Sequence, residues 1–556
     1  MESFFEKLNR RLPLPYPHFM AFAPLDVWAR MLLKGAAWRR VPARYWTRVG
    51  GGLFTSALGT VLTLPERALV GMGLRIAWRF KRTKPTQPLG SVHGSPKVVC
   101  ILGYFRSGTT HLHYLMSCDA RLCTPRWYQA LAPQGFVLSW AFLRWFLVPF
   151  LASTRPQDDV AIGPEWPAED DFALCNWSLS SSMPGRMVLP REWNLKGDHG
   201  WSRLHNLTGL SPAELRCWGY HVWAFAWKIA KVNRDRGVLL KNPSHTGRVR
   251  ELVRVFGTEN IKFVHLSRDA GAVVRSNVAM HQRFGPYLLQ DHVGDQEVRR
   301  RIIEEYEETE RRFLAEAAEL PPGTLARMRY QDLVADPISE MRRVYAELGM
   351  AWTDDLHARL ATYLTSVRDY RAAGDRRLTT SAPEAAREPE APAPAELAWM
   401  REAFGHDRPT ISKREVADQS SVRREGLIES MLNPMIACLL WATAWIGVAK
   451  LTGDRLDWLT WPTGVVLGSI VIRSRGRGSV ELGLFAASLT ILTLTLVAYP
   501  ATALVFYAAR VPMPWGDVWD STRDGMMATN NLVWLFLGIV SAYRLASRKQ
   551  LVAPGG

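Results

Sequence analysis

A short apolar run with β-branched residues, Val98–Leu102, opens the middle of the chain, and strand-like runs recur at Gly237–Leu240, Lys262–Leu266 and Leu325–Tyr330. The first predicts a strand buried on both faces. Between them the pattern changes to helical spacing, at Pro212–Val232, Thr246–Phe256 and the charged stretch Asp295–Glu319. Strands that alternate with helices over residues 91–370 predict an α/β domain, a parallel sheet flanked by helices. Ligands of such sheets bind beyond the carboxyl ends of the strands.

The pattern differs on either side of this domain. Residues 1–90 interleave aromatic, aliphatic and basic positions (Phe19, Phe22, Trp28, Met31, then Trp38, Arg39, Arg40, Tyr45, Trp46), and the apolar run from Gly50 to Trp78 is broken by Pro65, Glu66 and Arg67. That predicts a helical region lying on a membrane surface rather than crossing it, or else a layer packed on the catalytic domain. The opening residues carry charges at Glu2, Glu6, Lys7, Arg10 and Arg11, which do not read as a signal peptide. Within the domain, Phe136–Leu151 is an apolar and aromatic insert, read as a core helix or as a wall of an acceptor site. Residues 371–425 form a linker, Pro-, Ala- and Glu-rich over Ser381–Glu396. Residues 426–548 carry four apolar segments, Met431–Val448, Leu456–Ile472, Leu482–Tyr507 and Gly525–Tyr543, whose lengths predict four transmembrane helices. Arginines flank the first span and fill the loop between the second and third, whereas Asp454, Asp457, Asp517, Asp520 and Asp524 mark the other loops. The positive-inside rule then predicts a multi-pass membrane protein with its catalytic domain in the cytoplasm.

Composition narrows the partners. Lys and Arg number 69 against 52 Asp and Glu, a net charge of +17, which fits an anionic ligand, an anionic membrane or nucleic acid. Much of this charge lies beside apolar segments and among 23 tryptophans, a pattern that favours the membrane over nucleic acid. The six cysteines show no CxxC or Cys/His zinc spacing, and His111 and His113 would not share a helix face. No metal site is predicted.

The chemistry concentrates where the first strand ends, in Gly103-Tyr104-Phe105-Arg106-Ser107-Gly108-Thr109-Thr110. Two glycines allow backbone N–H groups to approach an anion, and the helix that follows adds the positive end of its dipole. The spacing Gly103-x4-Gly108 matches a nucleotide-triphosphatase loop, but Thr109 stands where that loop has lysine, and the cation is Arg106. A second strand ends in Ser267-Arg268-Asp269, with Ser276 eight residues beyond Arg268, and a third ends in Leu240-Lys241-Asn242-Pro243-Ser244-His245.

At these residues the chain resembles the sulfotransferase family, in its bacterial and Golgi-type branch, over roughly residues 97–350. The Arg-Ser-Gly-Thr-Thr loop, the Arg268 and Ser276 pair, the Leu-Lys-x-Pro-x-His segment, the acidic segment Gly163–Phe172 and Arg329–Pro337 carry the likeness. The Arg-Lys-Gly-x-x-Gly-x-Trp segment of cytosolic members is absent. The resemblance implies the sulfotransferase fold with its P-loop-like sheet, and transfer of a sulfuryl group from PAPS (3′-phosphoadenosine 5′-phosphosulfate) to a hydroxyl or amine. It assigns Arg106, Ser107, Gly108, Thr109 and Thr110 to the 5′-phosphosulfate, and Arg268 and Ser276 to the 3′-phosphate. Lys241 or His245 adds charge near the leaving oxygen, and the base is Glu169 or His245. Glu169 has Asp170 and Asp171 beside it, like charges that favour a base working near neutral pH. Asp332 and Asp336 read as helix caps and structural acceptors rather than catalysts. The predicted tether and the interfacial N-terminal region point to a lipid or lipid-linked acceptor. The competing readings are a P-loop kinase or triphosphatase with a displaced cation, and a non-enzymatic nucleotide-binding membrane scaffold.

Overall fold

In a computed structural model, the structure describes residues 19–81, 96–139, 163–193, 200–367, 394–406, 460–475, 480–495 and 529–547, with the single positions 520 and 523. In chain order, α1 (Leu25–Leu33) and α2 (Trp46–Lys81) precede β1 (Val98–Leu102), α3 (Thr109–Met116), β2 (Leu122–Cys123), α4 (Asp170–Ser178) and α5 (Pro212–Val232). Then come β3 (Gly237–Lys241), α6 (Val249–Phe256), β4 (Ile261–Ser267), α7 (Ala270–Gln282), α8 (Asp295–Ala317), β5 (Leu325–Arg329), α9 (Pro337–Glu347) and α10 (Asp354–Val367). The strands form one sheet in the order β2-β3-β1-β4-β5, with every neighbouring pair parallel. All four predicted strands are present. β2, two residues long, is the one that hydrophobic periodicity does not find.

The pleat divides the strands between two cores. Val98, Cys100 and Leu102 of β1 and Phe263 of β4 pack with α5, α6 and α8 on one face. Val99, Ile101, Leu239, Val264 and Leu266 pack with α3, α9 and α10 on the other. Local signals set the helix boundaries. Ser211 and Glu214 make a capping box ahead of α5, with Pro212 at its first position. Asp269 caps α7 through the Ala272 N–H, and Asp336 caps α9 through the Ser339 N–H at 3.0 Å. Asp332 is a structural acceptor, taking two hydrogen bonds of 2.6 and 2.8 Å from Arg329. Replacing Asp336 by alanine is expected to lower stability by about 1 kcal/mol, read as a shifted urea midpoint with an unchanged slope.

The N-terminal region is a layer docked on this domain. Arg40 pairs with Glu192 and Arg44 with Asp291. Arg48 donates to the carbonyls of Gly285 and Leu288 at 2.7 and 2.9 Å. Glu66 is buried and accepts from the N–H groups of Phe136, Val137 and Ser139. Burial pushes its carboxyl up, but the Phe136 and Val137 N–H groups, with Lys228 and Ser139, more than offset this and hold it below its ordinary value. The apolar insert beginning at Phe136 is thereby pinned to α2; its residues from 140 to 151 lie outside the described residues.

Lys228 reaches the same place. Its Nζ donates to the Pro133 carbonyl at 2.7 Å, lies 3.9 Å from Glu66 and sits 4.2 Å above the Phe136 ring. Burial pushes its ammonium from the ordinary 10.5 down to about 7, against the pull of Glu66. The unfolded chain therefore binds this proton more tightly than the folded one between those two values. Stability gained from this group rises with pH over that window. Lys228→Met is expected to remove that rise, so that wild type minus variant, measured by urea melts at pH 7 and pH 10, changes in the alkaline direction.

One expectation is corrected outside the sheet. Part of the predicted linker, residues 394–406, packs on the domain, because Leu397 and Met400 are apolar enough to be buried there and Arg329 donates to the Gly405 carbonyl at 2.7 Å. The remainder of residues 371–425 and the predicted span Met431–Val448 lie outside the described residues. The other predicted spans correspond in part to α11 (Thr460–Arg475), α12 (Val480–Thr493) and α13 (Thr529–Ser547). Among the described residues no helix is long and apolar enough to cross a membrane. The described parts of the first two comprise 16 and 14 residues. The third has 19 residues, but Thr529, Asn530 and Asn531 open it and Arg544 and Ser547 fall in its last turn. The three pack together through Val471, Ala486 and Ala542. Gly464 is needed there: a Cβ on it would lie 1.8 Å from the Gly538 carbonyl oxygen.

Candidate active site

Three adjacent strands deliver the polar segments to one end of the sheet. β1 leads into the Gly103–Gly108 loop, β4 into Arg268, and β3 into Lys241. The register pairs Ile101 with Lys241 and Leu102 with His265, so all three emerge at one level.

The loop is held by backbone conformations that side chains disfavour. Gly103 has φ +137° and a Cβ there would lie 2.5 Å from the Leu266 carbonyl oxygen. Gly108 has φ +98°, and a Cβ would lie 2.4 Å from the Tyr330 ring. Arg106, which does carry a side chain, has φ +69°, a strained conformation that points to a functional constraint. Its neighbours keep it there. The Gly103 N–H donates to Thr246 Oγ1 at 2.8 Å, Ser107 Oγ to the Tyr104 carbonyl at 2.7 Å, and Asn277 Nδ2 to the Phe105 carbonyl at 2.8 Å. Gly108 precedes α3 without a side-chain cap, and Thr109 and Thr110 form its first turn, which leaves that turn's N–H groups aimed outward for an anion.

Arg106 and Arg268 meet. Arg106 Nε donates to Ser276 Oγ at 3.0 Å, and Arg268 Nη1 donates to the Arg106 carbonyl at 3.3 Å. The Arg268 guanidinium also lies 4.5 Å from the centre of the Tyr330 ring. Ser276 faces the loop from α7, whereas its neighbour Arg275 is on the exposed side.

On the other flank, the acidic segment and the β3 segment pair acid with base three times. Glu169 forms an ion pair with Lys241, whose Nζ also donates to Thr110 Oγ1 at 3.2 Å. Asp170 Oδ2 lies 2.9 Å from His245 Nε2, and Asp171 Oδ1 lies 4.0 Å from Arg248 Nη1. Each carboxylate points to its own basic side chain, and the neighbouring Asp170 still pushes the Asp171 carboxyl up. For Asp170, burial pushes the carboxyl up, but His245, Asn242 and Arg248 outweigh it and leave it below the ordinary range. Asp171 goes the other way, raised chiefly by burial. Burial also brings the Arg248 guanidinium down to about 10, against the pull of both aspartates.

The two candidate bases differ in access. Glu169 is 14% exposed. His245 is fully buried; one ring nitrogen faces Asp170 and the other is 3.4 Å from Arg248 Nη1. Glu169 is the better placed to meet an acceptor.

Sequence reasoning missed the support behind the loop. Arg186 is buried and paired with Glu305, lies 4.1 Å over the Phe105 ring, and has Trp193 donating to the same Glu305 at 3.2 Å. A signal was present. Glu305 falls on the helical stripe Val298, Ile302, Thr309, Phe313, and a charge on a buried face requires a partner. Among the described residues no group of three His, Cys, Asp or Glu is arranged to hold a metal ion.

A family model described as Sulfotransferase family matches residues 96–354. Over 283 residues the chain is 31% identical to the omega-hydroxy-beta-dihydromenaquinone-9 sulfotransferase Stf3 of Mycobacterium bovis, an alignment that covers 49% of this chain and 68% of that protein. The chain belongs to the sulfotransferase family. Carbohydrate sulfotransferase 5 of Homo sapiens is 35% identical over 113 residues, 18% of this chain and 26% of that protein. The crystal structure of the sulfotransferase STF1 from Mycobacterium tuberculosis aligns with a TM-score of 0.44 and 16% identity, covering 65% of this chain and 93% of that one. The sulfotransferase match encloses the Arg106 loop, the acidic segment, Lys241, His245, Arg268 and Ser276. Membership sets aside the kinase and scaffold readings.

Proposed function

We propose that this sulfotransferase transfers a sulfuryl group from PAPS to a hydroxyl of a lipid-like acceptor. The observation that carries the reading is the meeting of Arg106, Arg268 and Ser276 at one end of the sheet, joined by hydrogen bonds of 3.0 and 3.3 Å. Two arginines and a serine at adjacent strand tips suit a donor with phosphates at both ends, because a guanidinium offers a planar fork to phosphate oxygens. Arg106, Ser107 and the N–H groups of Gly108, Thr109 and Thr110 hold the 5′-phosphosulfate. Arg268 and Ser276 hold the 3′-phosphate.

In the transfer, the bond from sulfur to the bridging oxygen breaks as the acceptor oxygen bonds to sulfur, and the acceptor proton passes to a base. Adenosine 3′,5′-bisphosphate leaves. Lys241 lies between the two half-reactions, touching both Thr110 of the loop and Glu169. Charge that builds on the leaving oxygen draws its ammonium toward the loop and releases Glu169 to take the proton. Asp170 and Asp171 keep His245 and Arg248 in place behind this pair.

The acceptor class rests on Stf3, whose name describes an omega-hydroxylated menaquinone derivative, and on the apolar insert that starts at Phe136. The test supplies sulfur-labelled PAPS to membranes carrying the full chain, followed by solvent extraction. Label in the lipid extract, absent with Arg268→Ala, is the expected result. Transfer only into water-soluble products rejects the acceptor class, and no transfer with no affinity for adenosine 3′,5′-bisphosphate rejects the donor.

A further inference from the structure

Helix α2 is built inside out. The side it turns to the protein carries Ser56, Thr63 and Glu66, all buried. Each is satisfied there: Ser56 by the Ala23 carbonyl, Thr63 by the Gly59 carbonyl at 2.7 Å, and Glu66 by the N–H groups already described. The opposite side carries Phe54, Val61, Leu64, Leu69, Met72 and Ile76, between 51% and 73% exposed. With Leu58 these recur in steps of three and four, with one step of five from Leu64 to Leu69, and share one face of the helix. A helix that covers a core in water shows the reverse order, apolar inward and polar outward. From Phe54 to Ile76 the stripe runs about 33 Å at 1.5 Å per residue. An apolar surface of this extent marks a binding face.

Charge points to what covers it. α2 holds five basic residues and one acid, Glu66, and that acid is turned inward. The end near Trp46 carries exposed Trp38 and Trp46 with Arg39 and Arg44, and the far end carries Arg75, Arg79 and Lys81. An acid-free apolar stripe with indoles at one end and cations at both fits the plane of an anionic bilayer, where Trp and Arg sit at headgroup level and the apolar face reaches the acyl boundary.

We propose that the outer face of α2 is a bilayer-contact surface, on which the protein lies in the plane of an anionic membrane. This does not depend on the transfer reaction. The test uses the full chain with Cys217 and Cys438 replaced by serine and a single environment-sensitive dye attached at Val61→Cys, Leu69→Cys or Met72→Cys. Glu304→Cys, on the exposed side of α8, is the control. On vesicles of phosphatidylcholine and phosphatidylserine, the three α2 dyes are expected to shift to the blue, to be quenched by doxyl-labelled lipid and to be shielded from iodide, while the control shows the opposite. Dyes open to iodide on bound vesicles, or no vesicle binding, overturn the proposal. So does shielding from both quenchers, which would mean that another segment or a second copy covers the stripe. Bound adenosine 3′,5′-bisphosphate leaves these readouts unchanged, so either reading can fail alone.

Discussion

Arg268→Ala is expected to weaken binding of adenosine 3′,5′-bisphosphate by about 100-fold or more, with little change in stability. The guanidinium contributes one 3.3 Å hydrogen bond to the Arg106 carbonyl and a stacking contact on Tyr330, so its loss leaves no buried group unpaired. Its proposed work is on the 3′-phosphate, where each charge-assisted hydrogen bond contributes about 1.5–3 kcal/mol. Two such bonds amount to roughly 3 kcal/mol or more, hence the factor of about 100 at 1.4 kcal/mol per decade. Arg268→Lys keeps the charge but not the fork, and should fall between wild type and alanine. Calorimetric titration reads all three. A loss below about fivefold for alanine would place the phosphate elsewhere. The equivalent change at Arg106 reads less cleanly, because its φ of +69° ties the side chain to the shape of the loop. Alanine there alters both the donor and the backbone preference.

How far the residues alone reach can be judged from the same site. Strand β1 was legible because burial on both faces leaves it no polar positions, β3, β4 and β5 because short runs centred on apolar residues alternate with helical segments, and the loop because glycine and arginine fall where a strand ends. The meeting of Arg106 with Arg268 was not legible from spacing, since it depends on β4 lying beside β1, a neighbour 162 positions away in the Arg268 contact. The acidic trio was legible as a feature, but its partners were not. They come from the β3 segment, which brings Lys241, His245 and Arg248 against those acids one by one. α2 shows the same limit from the other side. Glu66 read as a break in an apolar run, whereas in the fold it is the inward anchor of a helix whose apolar residues face out.

The larger effect is expected at Glu169. Glu169→Gln keeps the shape of the side chain and a polar contact for Lys241 but cannot accept a proton. If Glu169 is the base, kcat falls by about 10²- to 10⁴-fold, the range for losing general base catalysis. Affinity for adenosine 3′,5′-bisphosphate should stay within a few-fold, since the carboxylate approaches neither proposed phosphate site directly. Lys241→Met is expected to reduce kcat as well, through the leaving oxygen, and the double variant should lose less than the sum of the two, because both act on one step and touch each other. His245→Asn separates the candidates. His245 is enclosed by Asp170 and Arg248, so its replacement should lower the thermal midpoint and leave transfer by the folded fraction largely intact. The opposite result, near-normal kcat in Glu169→Gln and a collapse in a stably folded His245→Asn, would transfer the proton to the imidazole and require the β3 segment to open it to the acceptor.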